Sequence, residues 1–174
     1  GRFDVAMSGI TVRPERSVAG RFSLPITTSG AVLLVPDASP FVAIRELDQA
    51  EFEIAVNAGG HLERVTRNHF GRAQIRPMQD NQGVIHALAQ GEVDAAMTDS
   101  REAVLWQDEN PGLRAIGPFT RDRKAFLVAA DQPELARELD AWLLESQADG
   151  RLDALRAKAL GEPSKTTTTT KPLW

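Results

Sequence analysis

The segments Gly1-Arg-Phe-Asp-Val-Ala-Met-Ser8 and Gly91-Glu-Val-Asp-Ala-Ala-Met-Thr98 share Gly, Asp, Ala and Met at matching positions. Each segment ends on a small hydroxyl residue, and its pattern predicts a buried β-strand that opens at a glycine and leads into a polar loop. We therefore expect the strand ends Ser8 and Thr98 to lie at matching edges of one site.

The second copy of this repeat follows an amphipathic segment, residues 82–90, which predicts a helix. Gly91 is then expected at the C-terminal cap of that helix, where a left-handed backbone favours glycine. The first copy has the glycine but no such segment before it. The chain is therefore expected to begin just after a helix that it does not contain.

Apolar patterns along the rest of the chain alternate between strand and helix. Strands are expected at residues 3–8, 30–35, 52–56, 73–78 and 91–98. Helices are expected at residues 61–70, 82–90 and 133–150, the last with the stripe Leu135, Leu139, Trp142 and Leu143, and again around Leu152, Leu155 and Leu160. This alternation predicts an α/β fold with mostly parallel strand pairing.

The alternation is dense enough for a complete small domain only between residues 31 and 117. We predict that residues 1–28 form part of lobe 1, residues 29–118 form all of lobe 2, and residues 119–161 return to lobe 1. Residues 162–174, with five consecutive Thr, form a low-complexity tail. Two linkers would then cross between the lobes, as in proteins that close about a hinge.

Composition excludes several functional classes. The net charge of -4 and the pI of about 5.4 argue against nucleic acid as a partner. The chain has no Cys, and its three His lack the i, i+4 spacing of a helical metal site, so no metal site is expected. No phosphate-binding glycine motif is present and no cofactor is expected. Glu102 and Asp108 are interpreted as solvated.

Two groups of motifs together resemble the type 2 periplasmic solute-binding proteins of the amino-acid class. The first is Asp4-Val-Ala-Met-Ser-Gly-Ile-Thr-Val-Arg-Pro-Glu-Arg16 with Phe22-Ser23, and the second is Val56-Asn-Ala-Gly-Gly60 with Asp80-Asn81 and Met97-Thr-Asp99. The resemblance covers residues 1–160 and implies a bilobed fold. It also implies that the N-terminal strand–helix–strand of lobe 1, which normally precedes Gly1, is missing from this chain.

Within that family, the likeness is greatest to periplasmic cyclohexadienyl dehydratases. The shared pieces include Ala6-Met-Ser-Gly-Ile10, Asp80-Asn81, Lys124-Ala125 and Asp140-Ala-Trp-Leu143. This likeness keeps an enzymatic function open beside a binding function.

Arg16 is the first candidate binding residue, because a guanidinium can grip a carboxylate with two parallel hydrogen bonds. The resemblance assigns Arg16 to the ligand carboxylate, with the Thr11 hydroxyl and the backbone near Ser8 and Gly9 beside it. The alternative is a surface arginine paired with an acidic neighbour.

Asp99 follows the second repeat strand, where α/β proteins collect their binding groups. The resemblance assigns an ammonium group to it, with Thr98 as a minor contact. Asp99 is also a good N-cap for the helix that follows, and the two roles are compatible.

Gly59 and Gly60 precede a helix whose N-terminal amides favour an anion. The alternative is a plain tight turn. His61 stands where many relatives have Thr, and it is expected either to donate to the anion or to fill the pocket. Leu62 replaces the Asn of the dehydratase pattern. Glu63 is a candidate general acid with a raised pKa if the protein is a dehydratase, but at this position a capping role is favoured.

These candidates support two functional hypotheses. In the first, two lobes close on a small carboxylate or amino-acid ligand, gripped by Arg16 on one side and the Gly59-Gly60 amides on the other. An ABC permease or a sensor would recognise the closed form, in the periplasm or another extracytoplasmic space, and a monomer is expected. In the second, the same site is a carbon–oxygen lyase acting on prephenate or arogenate. A fragment without activity of its own is a third interpretation.

Overall fold

A computed structural model describes residues 3–160, so the predicted tail and the first two residues of the first repeat lie outside the described part. The described chain divides into two compact units. Unit 1 comprises residues 3–26 and 124–160, and unit 2 comprises Thr27–Arg123. The chain therefore passes from one unit to the other between residues 26 and 27 and returns between residues 123 and 124.

Strands and helices alternate through most of the chain. The strands are β1 (Val5–Thr11), β2 (Gly20–Phe22), β3 (Thr27–Ser29), β4 (Ala31–Pro36), β5 (Glu53–Asn57), β6 (Gln74–Met78), β7 (Ala95–Asp99), β8 (Leu113–Ile116) and β9 (Asp122–Ala129). The helices are α1 (His61–His69), α2 (Asn81–Ala89), α3 (Ser100–Glu109), α4 (Pro133–Ala148) and α5 (Arg151–Leu160), with short 3-10 helices at Pro14–Val18 and Ile44–Leu47. The mixed α/β class is as predicted.

Unit 2 is built on a five-stranded sheet in the order β6-β5-β7-β4-β8. Helices α1 and α2 connect β5, β6 and β7, and β5 pairs parallel with both β6 and β7. By contrast, β4 is antiparallel to β7 and to β8. The prediction of mostly parallel pairing is therefore wrong. The connection from β4 to β5, residues 37–52, contains only a four-residue 3-10 helix, so no long helix carries the chain back to a parallel start.

The two faces of this sheet bury different side chains, because successive residues of a strand point to opposite sides. Leu33 and Val35 of β4 pack with Val65 and Phe70 from the α1 region. Leu34, the residue between them, packs on the other face with α2 and α3, including Trp106. Five consecutive residues of β4 are buried, which explains its unbroken apolar sequence.

Helix α2 begins and ends as its sequence indicates. The Asp80 carboxylate caps its N-terminus by accepting from the Gly83 amide at 2.8 Å. Gly91 follows the last turn with a φ of 68°, the left-handed conformation that favours glycine. The predicted cap is confirmed. Only the last four residues of the second repeat copy, with Asp99, form the strand β7, because residues 91–94 form the turn before it.

Gly30 lies where the residues before β4 meet the segment that leaves unit 2. A Cβ at this position would overlap the carbonyl oxygen of Thr120 and lie 2.7 Å from Pro118 Cβ. The Ala31 amide also donates to Thr120 Oγ1 at 2.7 Å, which fixes this approach. Only glycine therefore fits at position 30 without a backbone shift.

Gly30→Ala is expected to lower the free energy of unfolding by about 1–3 kcal/mol, because the added methyl group meets backbone rather than a flexible side chain. Urea titration followed by circular dichroism measures the change. Gly71→Ala is the matched control: its Cβ would have Asp48 Oδ2 as nearest neighbour, at 4.0 Å. Equal stability of the two variants would show that the approach at Gly30 is not tight.

In unit 1, strand β9 pairs antiparallel with β1 on one side and with β2 on the other. The first repeat copy therefore differs from the prediction. Its strand extends to Thr11, so Ser8 is not a strand end, and only Thr11 within it is buried. Strand β1 pairs only with β9 in the described residues, so it is less buried than β7, which pairs with a strand on each side. The similarity of the two repeats does not reveal this difference.

Helix α4 presents Ala136, Leu143 and Ser146 to the interior of unit 1. The predicted stripe is confirmed at Leu143, but Trp142 is 40% exposed. Within residues 3–160, no helix is both long and apolar enough to cross a membrane.

Candidate functional site

Two cationic side chains converge on Thr11 at the end of β1. Arg16 donates from Nη1 to the Thr11 carbonyl at 3.3 Å, and Lys124 donates from Nζ to the Thr11 hydroxyl at 3.0 Å. Thr11 itself is buried. The short 3-10 helix after β1, which begins at Pro14, returns Arg16 to this strand end. Unit 1 thus holds two positive charges beside one hydroxyl, an arrangement suited to a carboxylate.

Lys124 was not among the residues predicted for the site. It lies directly opposite Thr11 in the β1–β9 pairing, 113 positions away in sequence. Lys124-Ala125 is among the pieces shared with the dehydratases, but its place beside Thr11 follows from the strand register, which a single sequence does not supply.

Ser8 and Gly9 lie in an irregularity of β1. The pairing with β9 shifts between Ala6 and Ile10, so the residues between them are not in the regular ladder. Gly9 has a φ of 65°, and Ser8 is exposed. Such bulges release backbone groups from a sheet and are common beside binding sites. Their role in ligand binding stays a prediction.

In unit 2, the segment from Gly59 to Glu63 forms the N-terminal turn of α1. The Gly59 amide donates to Glu63 Oε2 at 2.7 Å, and Arg67 donates to Glu63 Oε1 from Nε at 2.9 Å and from Nη2 at 2.7 Å. The capping interpretation of Glu63 is confirmed. The Gly59 amide, predicted to meet a ligand anion, is occupied by this carboxylate. Gly60 is the N-cap residue of the same helix.

The hydrogen bond from the Gly59 amide and, to a smaller extent, those from Arg67 hold the pKa of Glu63 below its ordinary value of 4.5. This lowering is opposite to the raised pKa that the dehydratase hypothesis requires of Glu63. Both neighbours stabilise the charged form, which is the opposite of what a general acid needs near neutral pH.

Glu63→Gln is expected to lower the free energy of unfolding at pH 7, and the difference from the wild type should shrink as the pH falls. A carboxylate with a lowered folded-state pKa contributes its stability above the unfolded-state value, and this contribution is lost as the pH falls from about 4.5 through the folded-state pKa. Urea unfolding of both proteins at pH 7, 5, 4 and 3 measures the difference. The pKa values of Glu46, Asp48 and Asp149 are lowered as well, but these groups are common to both proteins. A constant difference across this range would contradict the arrangement.

His61 faces a carboxylate of the protein itself. Its Nε2 lies 3.0 Å from Asp122 Oδ1, and the two side chains are only 11% and 10% exposed. Asp122 Oδ2 accepts from the Thr120 hydroxyl at 2.9 Å, and Thr120 in turn accepts from the Ala31 amide. His61 thus joins the start of α1 to the start of β4 through the segment that leaves unit 2. Its predicted contact with a ligand anion stays a prediction.

Asp99 caps helix α3, accepting on Oδ1 from the amides of Arg101 at 2.9 Å and Glu102 at 3.1 Å. The capping interpretation is confirmed, and the ammonium role stays a prediction. Thr98, just before it, is fully buried and donates its hydroxyl to Glu102. Thr98 is therefore a buried partner of Glu102, and its predicted place at the edge of a ligand site stays a prediction.

Four polar side chains form a connected group at the carboxyl ends of the parallel strands, which we call the Glu102 network. Asn57 donates to Asn81, Asn81 donates to Glu102, and Thr98 donates to the other oxygen of Glu102, each at 2.5 Å. The interpretation of Glu102 as a solvated surface acid is wrong, because both of its oxygens accept hydrogen bonds from other elements. The sequence signal was the placement of Asn57 and Asn81 after two successive strands.

The structure thus brings the predicted site residues together in separate sets. Thr11 and Arg16 meet in unit 1, on the strand that carries Ser8 and Gly9. In unit 2, Gly59, Gly60 and His61 form one helix start, and Thr98 and Asp99 end a neighbouring strand. Residues 3–160 contain no cluster of three or more His, Asp or Glu side chains arranged to hold a metal ion.

Comparison with known proteins identifies the family. A family model of bacterial extracellular solute-binding proteins, family 3, matches residues 1–162. The chain belongs to this family. The resemblance found in the sequence is thereby confirmed, and with it the expectation of the type 2 fold of amino-acid-binding proteins.

Three relatives illustrate the range of this solute-binding family. The cyclohexadienyl dehydratase of Pseudomonas aeruginosa is 33% identical over 156 residues, 87% of this chain and 58% of that protein. The ABC transporter glutamine-binding protein GlnH of Bacillus subtilis is 27% identical over 163 residues, 93% of this chain and 59% of that protein.

A crystal structure of the ancestral amino acid-binding protein AncCDT-1, a precursor of cyclohexadienyl dehydratase, is 29% identical with a TM-score of 0.85. That match covers 92% of this chain and 70% of the ancestral chain. The chain thus spans less than two thirds of the length of the two curated relatives described above.

Proposed function

We propose that the protein binds a small amino acid outside the cytoplasm, as part of ABC-type uptake or of sensing. The observation that carries this proposal is the convergence of Arg16 and Lys124 on Thr11. Two cations beside one buried threonine, Arg16 on its carbonyl and Lys124 on its hydroxyl, suit a carboxylate, and a planar guanidinium adds directional recognition. Membership of the solute-binding family supports the proposal, as does the similarity to the glutamine-binding protein of Bacillus subtilis.

Unit 2 carries a negatively charged candidate group, the Asp99 carboxylate, which suits an ammonium group. Asp99 stands at the carboxyl end of β7, beside the parallel strand β5, where α/β proteins bind ligands. Unit 1 thus holds groups suited to a carboxylate and unit 2 holds a group suited to an ammonium, and an amino acid carries both of these charges. We propose no cofactor and no nucleic-acid partner, and we expect a monomer that meets an ABC permease or a sensor.

Thermal unfolding of the full-length protein with each of the twenty L-amino acids tests this function. A ligand at one hundred times its Kd stabilises the folded state by about 2.7 kcal/mol, which raises Tm by several degrees. We expect at least one amino acid to produce such a shift, and the amine lacking its carboxylate to produce none. Equal Tm values with all twenty amino acids would refute the proposal.

Prephenate dehydration is the second candidate function, favoured by the 33% identity to the dehydratase. Glu63 is the residue in this chain that would act as general acid, and its lowered pKa weighs against that role. The test is the absorbance of phenylpyruvate after incubation of the full-length protein with prephenate. The binding function predicts no turnover; turnover that Glu63→Gln abolishes would establish the enzyme instead.

A further inference from the structure

The Glu102 network has a fixed direction, which follows from the chemistry of its members. A carboxylate has no proton to give, so every group that hydrogen bonds to Glu102 must donate. Thr98 Oγ1 and Asn81 Nδ2 both do so, at 2.5 Å. The carboxylate therefore decides which end of the Asn81 amide faces it.

This choice passes on to Asn57. Because Asn81 turns its NH₂ group to Glu102, its Oδ1 faces Asn57 and accepts from Asn57 Nδ2 at 2.5 Å. The Asn57 amide is planar, so committing Nδ2 to Asn81 points its Oδ1 in a different direction. Glu102 thus determines, through Asn81, that Asn57 presents an acceptor rather than a donor on its remaining side.

Asn57 and Asp99 stand at the ends of neighbouring parallel strands. It is the last residue of β5, and the parallel pairing of Ala55 with Ala96 places Asn57 level with Thr98, one residue before Asp99. The backbone amide of Glu102 donates to Asp99 Oδ1, so Glu102 contacts both the network and the acid. An acceptor oxygen and a carboxylate at adjacent strand ends together suit a group with several protons and a positive charge.

We propose that Glu102 is a positioning residue that orients the Asn57 amide, so that Asn57 Oδ1 accepts a hydrogen bond from the ammonium group of the bound amino acid. This inference rests on the proposed function, because it requires an amino acid whose ammonium group lies at Asp99. A glutamine at position 102 has both a donor and an acceptor, so the side-chain amides of Asn81 and Asn57 can rotate and exchange their donor and acceptor ends. Asn57 would then present its NH₂ group to a cation.

The test compares two probes on Glu102→Gln by isothermal titration calorimetry, with displacement titrations where binding is weak. The first probe is the L-amino acid that raises the wild-type Tm most. The second is the same molecule with hydrogen in place of the ammonium group. Affinity for the first should fall about tenfold or more, as for a lost hydrogen bond to a charged group. Affinity for the second should stay within about twofold, so the ratio of the two affinities falls.

Glu109→Gln is the control, since it makes the same change at an exposed position of the same helix. It should leave both affinities unchanged. An equal loss for both probes in Glu102→Gln would show a merely structural role and overturn the proposal. Wild-type protein that binds no amino acid would refute the proposed function itself, and this inference with it.

A second variant keeps the proposal testable if Glu102→Gln does not fold. Asn57→Leu has a similar volume and removes the acceptor while leaving Glu102 in place. It should show the same selective loss for the probe that carries an ammonium group. Unchanged selectivity in a folded Asn57→Leu protein would overturn the proposal.

Discussion

Arg16→Ala is expected to lower affinity for the stabilising amino acid about a hundredfold and to remove most of its effect on Tm. A bidentate contact between a guanidinium and a carboxylate makes two charge-assisted hydrogen bonds, and removing one partner costs about 3 kcal/mol or more. Lys124 would remain beside Thr11, but an ammonium is a point charge without the planar fork. Calorimetric titration of the wild type and the variant measures the loss.

The control for this change is Arg137→Ala, on the exposed surface of α4 in the same unit. Arg137 pairs there with Glu134, one turn away. Surface pairs of this kind contribute little, so affinity should not change. Retention of full affinity by Arg16→Ala would show that the carboxylate binds elsewhere.

Leu33→Ala is expected to lower the free energy of unfolding of unit 2 by about 2–5 kcal/mol, the range for a large-to-small change in a core. Leu33 is completely buried in β4, between β7 and β8, and packs on the face of the sheet that α1 covers. Loss of its side chain leaves a cavity that flanking strands cannot close. Urea denaturation followed by tryptophan fluorescence from Trp106, which is buried in the same unit, reports the change.

Leu105→Ala makes the same substitution on the exposed side of α3, where the leucine is 58% exposed. Its expected cost is below about 1 kcal/mol, because little apolar area leaves the core. Equal costs for Leu33→Ala and Leu105→Ala would contradict the assignment of β4 to the centre of the core.

Local patterns in the sequence predicted the elements whose signals are contained within a few residues. The apolar run of β4, the amphipathic segment of α2 and the glycine that follows α2 each correspond to the observed element. The family motifs likewise led to the correct fold class. These features depend on propensity, periodicity and backbone conformation, which neighbouring residues determine.

Features that depend on contacts across the sheet were predicted poorly. The antiparallel direction of β4 and the exposure of β1 follow from topology, so an apolar pattern does not fix them. Lys124 meets Thr11 only because β1 and β9 pair in one register. Glu102 was interpreted as a surface acid because its partners, Asn81 and Thr98, reach it from other elements. Glu63 is a different case, because the two groups that lower its pKa, the Gly59 amide and Arg67, each lie only four residues away in sequence.

A crystal structure of the full-length protein with the L-amino acid that raises Tm most is the most direct test of the central claim. Both carboxylate oxygens should lie about 3 Å from the Arg16 guanidinium nitrogens. A carboxylate bound away from Arg16, with the guanidinium still on the Thr11 carbonyl, would contradict that claim.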